Sequence, residues 1–224
     1  MRRVKRRTPL LVLVVVVLVV IVVAVLYLLL GREEEPDKEP PGQDTAQLAA
    51  EEALKTLEKL VTAENYAAMG FASLDEVAQA QLGVPMTVYR VQLDHLREYT
   101  PGETDPVALL VDVSRQLYPV TVGEEVRSSV AVEESREVWR GTDFGAPGLM
   151  KALSQYRQSD DDFAVHVGFL GLYFVGQRNE DGLWLTPLLD DPDLGFVAGE
   201  PLAVEEVFRA LLPLAQEYKE EAPM

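Results

Sequence analysis

Apolar residues form one unbroken run near the start of the chain, from Leu10 to Leu30, whereas later segments mix apolar and polar positions. The run has 21 residues, no charge, and Tyr27 as its one strongly polar side chain. At a helical rise of about 1.5 Å per residue it spans roughly 30 Å, the thickness of a bilayer's hydrocarbon core. In lipid a helix satisfies its own backbone polar groups, which outweighs the strand preference of the many valines. We therefore predict a transmembrane helix from Leu10 to Leu30.

Charges on either side of the run predict its orientation. Residues 1–9 contain five basic residues and no acidic one, whereas acidic residues dominate immediately after Arg32. Because the basic flank of a span stays in the cytoplasm, residues 1–9 are predicted to be a cytoplasmic tail, with the C-terminal part outside the inner membrane of a bacterial-type cell. The alternative is a cleaved signal peptide, but its apolar core is shorter, about 7 to 15 residues. We expect an uncleaved signal-anchor of a single-pass protein.

Residues 31–45 read as a linker. They combine three prolines with many charges and have no large apolar side chain. Such a segment cannot bury enough apolar surface to compensate for the entropy lost on ordering, and its prolines and charge repulsion keep it extended. Domain organisation is therefore predicted as tail 1–9, span 10–30, acidic Pro-rich linker 31–45 and one extracytoplasmic domain, 46–220.

Apolar residues in this predicted domain recur with the spacing of helices in some segments and with the alternation of strands in others. Leu54, Leu57 and Val61 lie three and four residues apart on a helix that starts near Asp44, and the stripe from Val204 to Tyr218 has the same spacing on a terminal helix that starts at Pro201. Other helices are predicted from Ser73 to Leu82, which opens with a capping box, and from Asp94 to Tyr99. A helix is also predicted from Val107 to Ser114, for which a buried strand is the alternative, and another from Leu149 to Tyr156.

Alternating residues predict the strands. Tyr118 to Val122 and Val126 to Val132 flank a Gly123 turn, which is the pattern of a β-hairpin. Further strands are predicted at Met86 to Leu93, Glu137 to Arg140, Phe163 to Phe169, Tyr173 to Val175 and Leu183 to Leu189. The fold class is α+β: a mostly antiparallel sheet of about five to seven strands, covered on one face by helices.

The net charge of the chain limits the classes of partner that it is expected to bind. Five of the 20 basic residues precede residue 31, so residues 32–224 hold 15 basic residues against all 37 acidic ones, a net charge of −22. A domain with this charge repels phosphate backbones, so nucleic acid is not an expected partner. The predicted partners are the membrane, through Leu10 to Leu30, and an envelope protein.

Few residues are candidates for catalysis or metal binding. The chain has no cysteine, hence no disulfide and no thiolate nucleophile. Its two histidines, His95 and His166, are separated by 70 intervening residues and lack the spacing of a zinc motif, and Ser128 and Ser129 fall inside a predicted strand. No catalytic residue, cofactor or cofactor-binding residue is predicted.

One acidic loop is the weak candidate for a metal site. Asp190, Asp191 and Asp193 place three carboxylates within four residues, and carboxylates suit a hard cation such as Ca²⁺. Pro192 and the missing glutamate twelve positions on depart from the EF-hand pattern, so a solvated loop is the preferred interpretation.

These observations favour a membrane-anchored, non-enzymatic domain that binds a protein or a small ligand in the cell envelope. Two alternatives stay open. The first is a structural or assembly subunit of an envelope complex, which predicts an exposed apolar patch instead of a concave pocket. The second, less favoured, is a carboxylate- or Ca²⁺-dependent hydrolase, in which the acidic loop would converge with distant carboxylates such as Glu124 or Glu125. Aromatic side chains that could anchor a partner are Tyr118, Trp139, Tyr156, Tyr173 and Trp184.

Overall fold

The computed structural model describes residues 43–180 and 182–219. The predicted tail 1–9, the predicted transmembrane helix Leu10 to Leu30 and the linker up to residue 42 lie outside the described residues. Within the described ranges, no helix is long and apolar enough to cross a membrane. Helix α1 begins at Gln43, so it includes the last three residues of the predicted linker.

Strands and helices confirm an α+β domain with a mixed sheet of many strands. The strands are β1 (Gln81–Leu82), β2 (Met86–Val91), β3 (Leu110–Val122), β4 (Glu125–Ser135), β5 (Val138–Phe144), β6 (Phe163–Val167), β7 (Leu172–Asn179), β8 (Gly182–Pro187) and β9 (Leu202–Ala203). The helices are α1 (Gln43–Leu60), α2 (Leu74–Val77), α3 (Leu93–Arg97), a 3-10 helix (Pro106–Leu109), α4 (Pro147–Tyr156) and α5 (Val204–Glu217).

The sheet consists of two antiparallel meanders joined at its centre. Its strand order is β5-β4-β3-β2-β6-β7-β8-β9, and β1 pairs with β3 beside this path. Neighbouring strands are antiparallel except β2 and β6, which run parallel with Tyr89 opposite Val165. A parallel pair needs a crossover connection, and here the β3–β5 meander and α4 provide it. The sheet is therefore mostly antiparallel, as predicted, but mixed.

Helices pack on both faces of the sheet, which makes the expectation of one covered face wrong. Leu117 packs with Met150 and Leu153 of α4. Its neighbour Tyr118 packs with α1 instead, in a cluster that includes Leu57. Because successive residues of a strand point to opposite faces, α1 and α4 lie on opposite sides of the sheet.

Helix α5 covers the other half of the face on which α1 lies. Val165 belongs to the core cluster of α5, together with Phe208 and Leu211, whereas the adjacent Ala164 faces α4. The apolar stripe predicted near the C-terminus is confirmed from Val204 to Ala215, where Val207, Phe208 and Leu211 are buried, but its last member, Tyr218, lies after the helix and is exposed. The helix starts at Val204, not at Pro201, and the short strand β9 precedes it.

The main local differences from prediction lie before and within β3. Asp105 caps the next turn as expected, accepting a hydrogen bond from the Val107 N–H at 2.9 Å. That turn stops after one 3-10 segment, and Leu110 starts a strand of 13 residues, so the predicted helix from Val107 to Ser114 is wrong and the strand alternative holds from Leu110. The short strands β1 and β9 bring the sheet to nine strands in the described residues, above the predicted five to seven.

Candidate functional site

A concave cavity of about 440 Å³ lies between α4, the start of β7 and the chain that follows β8. Its surface is mostly apolar, and Leu149 and Ala152 of α4 form one wall. The residues that line it are Gly148, Leu149, Ala152, Gly171, Leu172, Tyr173, Phe174, Pro187, Leu188, Leu189, Asp190, Asp191 and Phe196.

The first turn of α4 is placed by a close contact with the loop after α1. Pro147 occupies the start of the helix, where its fixed φ suits helical geometry. Gly70 packs so tightly there that a Cβ atom on it would come 2.7 Å from the Pro147 Cβ and 1.8 Å from the Arg127 carbonyl oxygen. This glycine is therefore the residue that lets the loop support the α4 wall.

The opposite wall is a loop closed on itself by backbone hydrogen bonds. The Asp191 N–H donates to the Phe196 carbonyl at 2.9 Å, and the Phe196 N–H donates back to the Asp191 carbonyl at 2.8 Å. Phe196 is 4% exposed and meets Phe174 edge to face, with ring centroids 5.6 Å apart. This contact holds the loop against β7.

The three candidate aspartates of the acidic loop differ in whether they line the cavity. Asp190 Oδ1 accepts the Ala198 N–H at 2.8 Å and Asp191 Oδ1 accepts the Leu194 N–H at 3.2 Å, so both carboxylates order the loop, and both line the cavity. Asp193 is exposed and does not line it. Among the described residues, no group of three or more His, Cys, Asp or Glu side chains is arranged to hold a metal ion.

Tyr173 connects the cavity to a polar surface on the same sheet face. Its ring stacks on that of His166, with centroids 4.2 Å apart and planes 8° from parallel. Arg90 lies opposite His166 across the parallel strand pair, and Arg115 forms an ion pair with Asp143 nearby. Burial raises the pKa of the Tyr173 phenol, so the group stays protonated at neutral pH.

The two histidines are in unrelated surroundings. Burial, and after it the charges of Arg90 and Arg115, lower the pKa of His166, so its ring is neutral at pH 7. His95 is exposed on α3, and the adjacent Asp94 forms an ion pair with Arg97 at 3.1 Å.

The distant carboxylates invoked for a hydrolase do not line the cavity. Glu124 and Glu125 lie at the β3–β4 turn, where Glu125 forms an ion pair with Arg127 at 2.7 Å. Asp162 is the buried carboxylate of the domain's described part, and it stabilises a turn. Burial acts to raise its pKa, but hydrogen bonds from Gln158, Ser159 and Gln177 outweigh that effect and lower it.

The predicted aromatic anchors serve mainly as packing groups. Tyr118 is 2% exposed, and its hydroxyl donates to Gln116 at 2.8 Å; burial raises its pKa to about 12. Tyr156 packs against Gly199, and Trp139 packs at the edge of the α1 core cluster. Of the five predicted anchors, Tyr173 is the one that lines the cavity.

A second, more open groove of about 480 Å³ runs between α1 and the edge strand β5. Leu48, 61% exposed, lies on its α1 side, and Trp139, Gly141 and Phe144 lie on the strand side. The groove has apolar surface but also includes the charged side chains of Glu52, Glu137 and Arg140.

Comparison of the chain with protein-family models, with curated proteins and with solved structures gave no significant match.

Proposed function

We propose that the protein is a membrane-anchored, non-enzymatic binding protein of the cell envelope, and that the cavity beside α4 is its small-ligand site. The cavity itself carries this proposal. Ligand pockets have volumes of roughly 300–1,000 Å³ and combine apolar walls with a few polar groups. The cavity, at about 440 Å³ with Asp190, Asp191 and Tyr173 among apolar neighbours, has these features.

Filling the cavity tests the proposal. Ala152 lines it, whereas the adjacent Lys151 is exposed on the same helix and does not. We expect the full chain to bind 1-hexanol, a neutral apolar probe, with a Kd on the order of 1 mM in saturation-transfer NMR. Ala152→Trp abolishes this binding, and the matched control Lys151→Trp retains it. Binding that survives Ala152→Trp contradicts the proposal.

The proposed location rests on the apolar run from Leu10 to Leu30 and on the basic residues before it. In intact cells whose outer barrier has been opened, we expect external protease to degrade residues 45–224 while a tag on the N-terminus stays protected. Protection of the domain instead would contradict the predicted orientation.

An assembly subunit remains the second candidate, because the α1–β5 groove exposes Leu48 and the neighbouring Val138 is 46% exposed. Crosslinking in intact membranes distinguishes the two. A photo-crosslinker at Leu48 captures one defined envelope protein if the groove is an interface. A photo-crosslinker at Leu189, on the rim of the cavity, serves as the comparison.

A further inference from the structure

Charged residues that line the cavity all have the same sign. Among the described residues, Asp190 and Asp191 are the charged members of its lining, and no lysine, arginine or histidine lines it. Arg90 and Arg115, whose charges act on His166, and Lys151, which precedes the lining residue Ala152, do not line the cavity. A ligand in the cavity therefore meets negative charge at Asp190 and Asp191 and mostly apolar surface elsewhere.

Each of these carboxylates has a second oxygen that the loop does not use. Asp190 and Asp191 both use Oδ1 to accept a backbone N–H of their own loop. Within the described residues, neither Oδ2 atom accepts a hydrogen bond or forms an ion pair. The loop thus fixes both carboxylates while leaving an acceptor on each for a donor from outside.

The aromatic ring of Tyr173, in the same cavity lining, suits the same kind of ligand. Tyr173 lines the cavity and is partly exposed, whereas Phe174 and Phe196, also in the lining, are buried in the α5 core cluster. The negatively polarised face of an aromatic ring attracts a cation, as do carboxylates. An anion would be repelled both here and at long range by the net charge of −22 of residues 32–224.

We propose that the cavity selects a small organic cation with an apolar body, of the alkylammonium class, with its ammonium group at Asp190 and Asp191 and its apolar part against α4 and Tyr173. This inference rests on the proposed function, since it assigns a ligand class to the same cavity.

A charge series tests it. The full chain is titrated with hexylammonium, 1-hexanol and hexanoate, which share a chain length and differ in charge. Each exposed ion pair contributes up to about fivefold in affinity, so we expect hexylammonium to bind about tenfold more tightly than 1-hexanol, and hexanoate to bind least. The preference should shrink when salt is raised, because screening shortens the reach of the carboxylates to about 8 Å at 0.15 M ionic strength and less above it.

Asparagine variants identify the groups responsible. Asp191→Asn and Asp190→Asn each keep the Oδ1 acceptor for the loop, and the double variant should bind hexylammonium and 1-hexanol equally. Asp193→Asn, in the same loop but outside the cavity, should keep the wild-type preference. A preference lost equally in Asp193→Asn indicates a general charge effect and overturns the inference, as does equal binding of all three probes to the wild-type chain. If no probe binds at all, the proposed ligand site itself fails, and the inference fails with it.

Discussion

Gly70 offers the sharpest test of how the cavity wall is built. It has φ +96°, a backbone conformation that costs an L-residue roughly 1–2 kcal/mol. In Gly70→Ala the new Cβ would also lie 1.8 Å from the Arg127 carbonyl oxygen and 2.7 Å from the Pro147 Cβ. Because the first of these is a backbone atom, it cannot rotate away, and the loop or β4 must move.

Gly102→Ala is the matched control. Gly102 has a similar φ of +84°, but a Cβ there meets no atom within 4 Å. Both variants share the conformational cost, and Gly70→Ala adds overpacking worth about 1–3 kcal/mol. In a domain of this size about 1 kcal/mol lowers the midpoint of thermal unfolding by roughly 2–4 °C, so Gly70→Ala should unfold about 2–12 °C below Gly102→Ala.

The assay is thermal unfolding of the full chain, followed by circular dichroism, together with 1-hexanol binding. Displacement of Pro147 moves the start of α4, where Gly148 and Leu149 line the cavity, so Gly70→Ala should also weaken binding whereas Gly102→Ala should not. Equal midpoints for the two variants would show that the close approach at Gly70 has no energetic consequence, and the reasoning would be refuted.

Three further predictions concern the core and the ionisable groups. Leu153→Ala, at a fully buried position under the sheet, should cost about 2–5 kcal/mol in urea unfolding, and a loss below 1 kcal/mol would contradict its place in the α4 core. Asp162→Ala removes the acceptor of four hydrogen bonds and should cost about 3 kcal/mol at pH 7. Because the pKa of Asp162 is lowered in the folded state, its contribution to the free energy of unfolding is complete above the ordinary pKa of 3.8 and is lost as pH falls through the folded-state pKa. The free energies of unfolding of the variant and the wild type should therefore converge in acid. The pKa of His166 should lie below 6.5 by NMR titration and rise in Arg90→Ala; a pKa unchanged by that substitution would contradict the proximity of the two groups.

Element identity followed from local pattern where one period was unambiguous. The alternation from Tyr118 to Val132 predicted the hairpin of β3 and β4, and the three-and-four spacing from Val204 predicted α5. Val107 to Ser114 was misjudged because the capping signal of Asp105-Pro106 sets only a single turn, and pairing of β3 with β2 then favours a strand. A local signal cannot show the partner strand that decides the outcome.

The cavity was only partly foreseeable. Asp190 and Asp191 were selected as metal candidates from the close spacing of carboxylates in one loop, and in the structure they order that loop and line a mostly apolar cavity. Leu149 and Leu172 come together there through the α4 crossover and the β6–β7 turn. The contact between these two regions depends on the pairing of β2 with β6, which joins the two meanders. No spacing in the sequence reveals this pairing.

Methyl-resolved NMR of the full chain, titrated with 1-hexanol, tests the central claim most directly. The account predicts saturable shifts of the methyl groups of Leu149, Leu172 and Leu188, which line the cavity, and none at Leu48 in the α1–β5 groove. Saturable shifts confined to Leu48, or no saturable shift at any of these leucines, would contradict the assignment of the cavity as the ligand site.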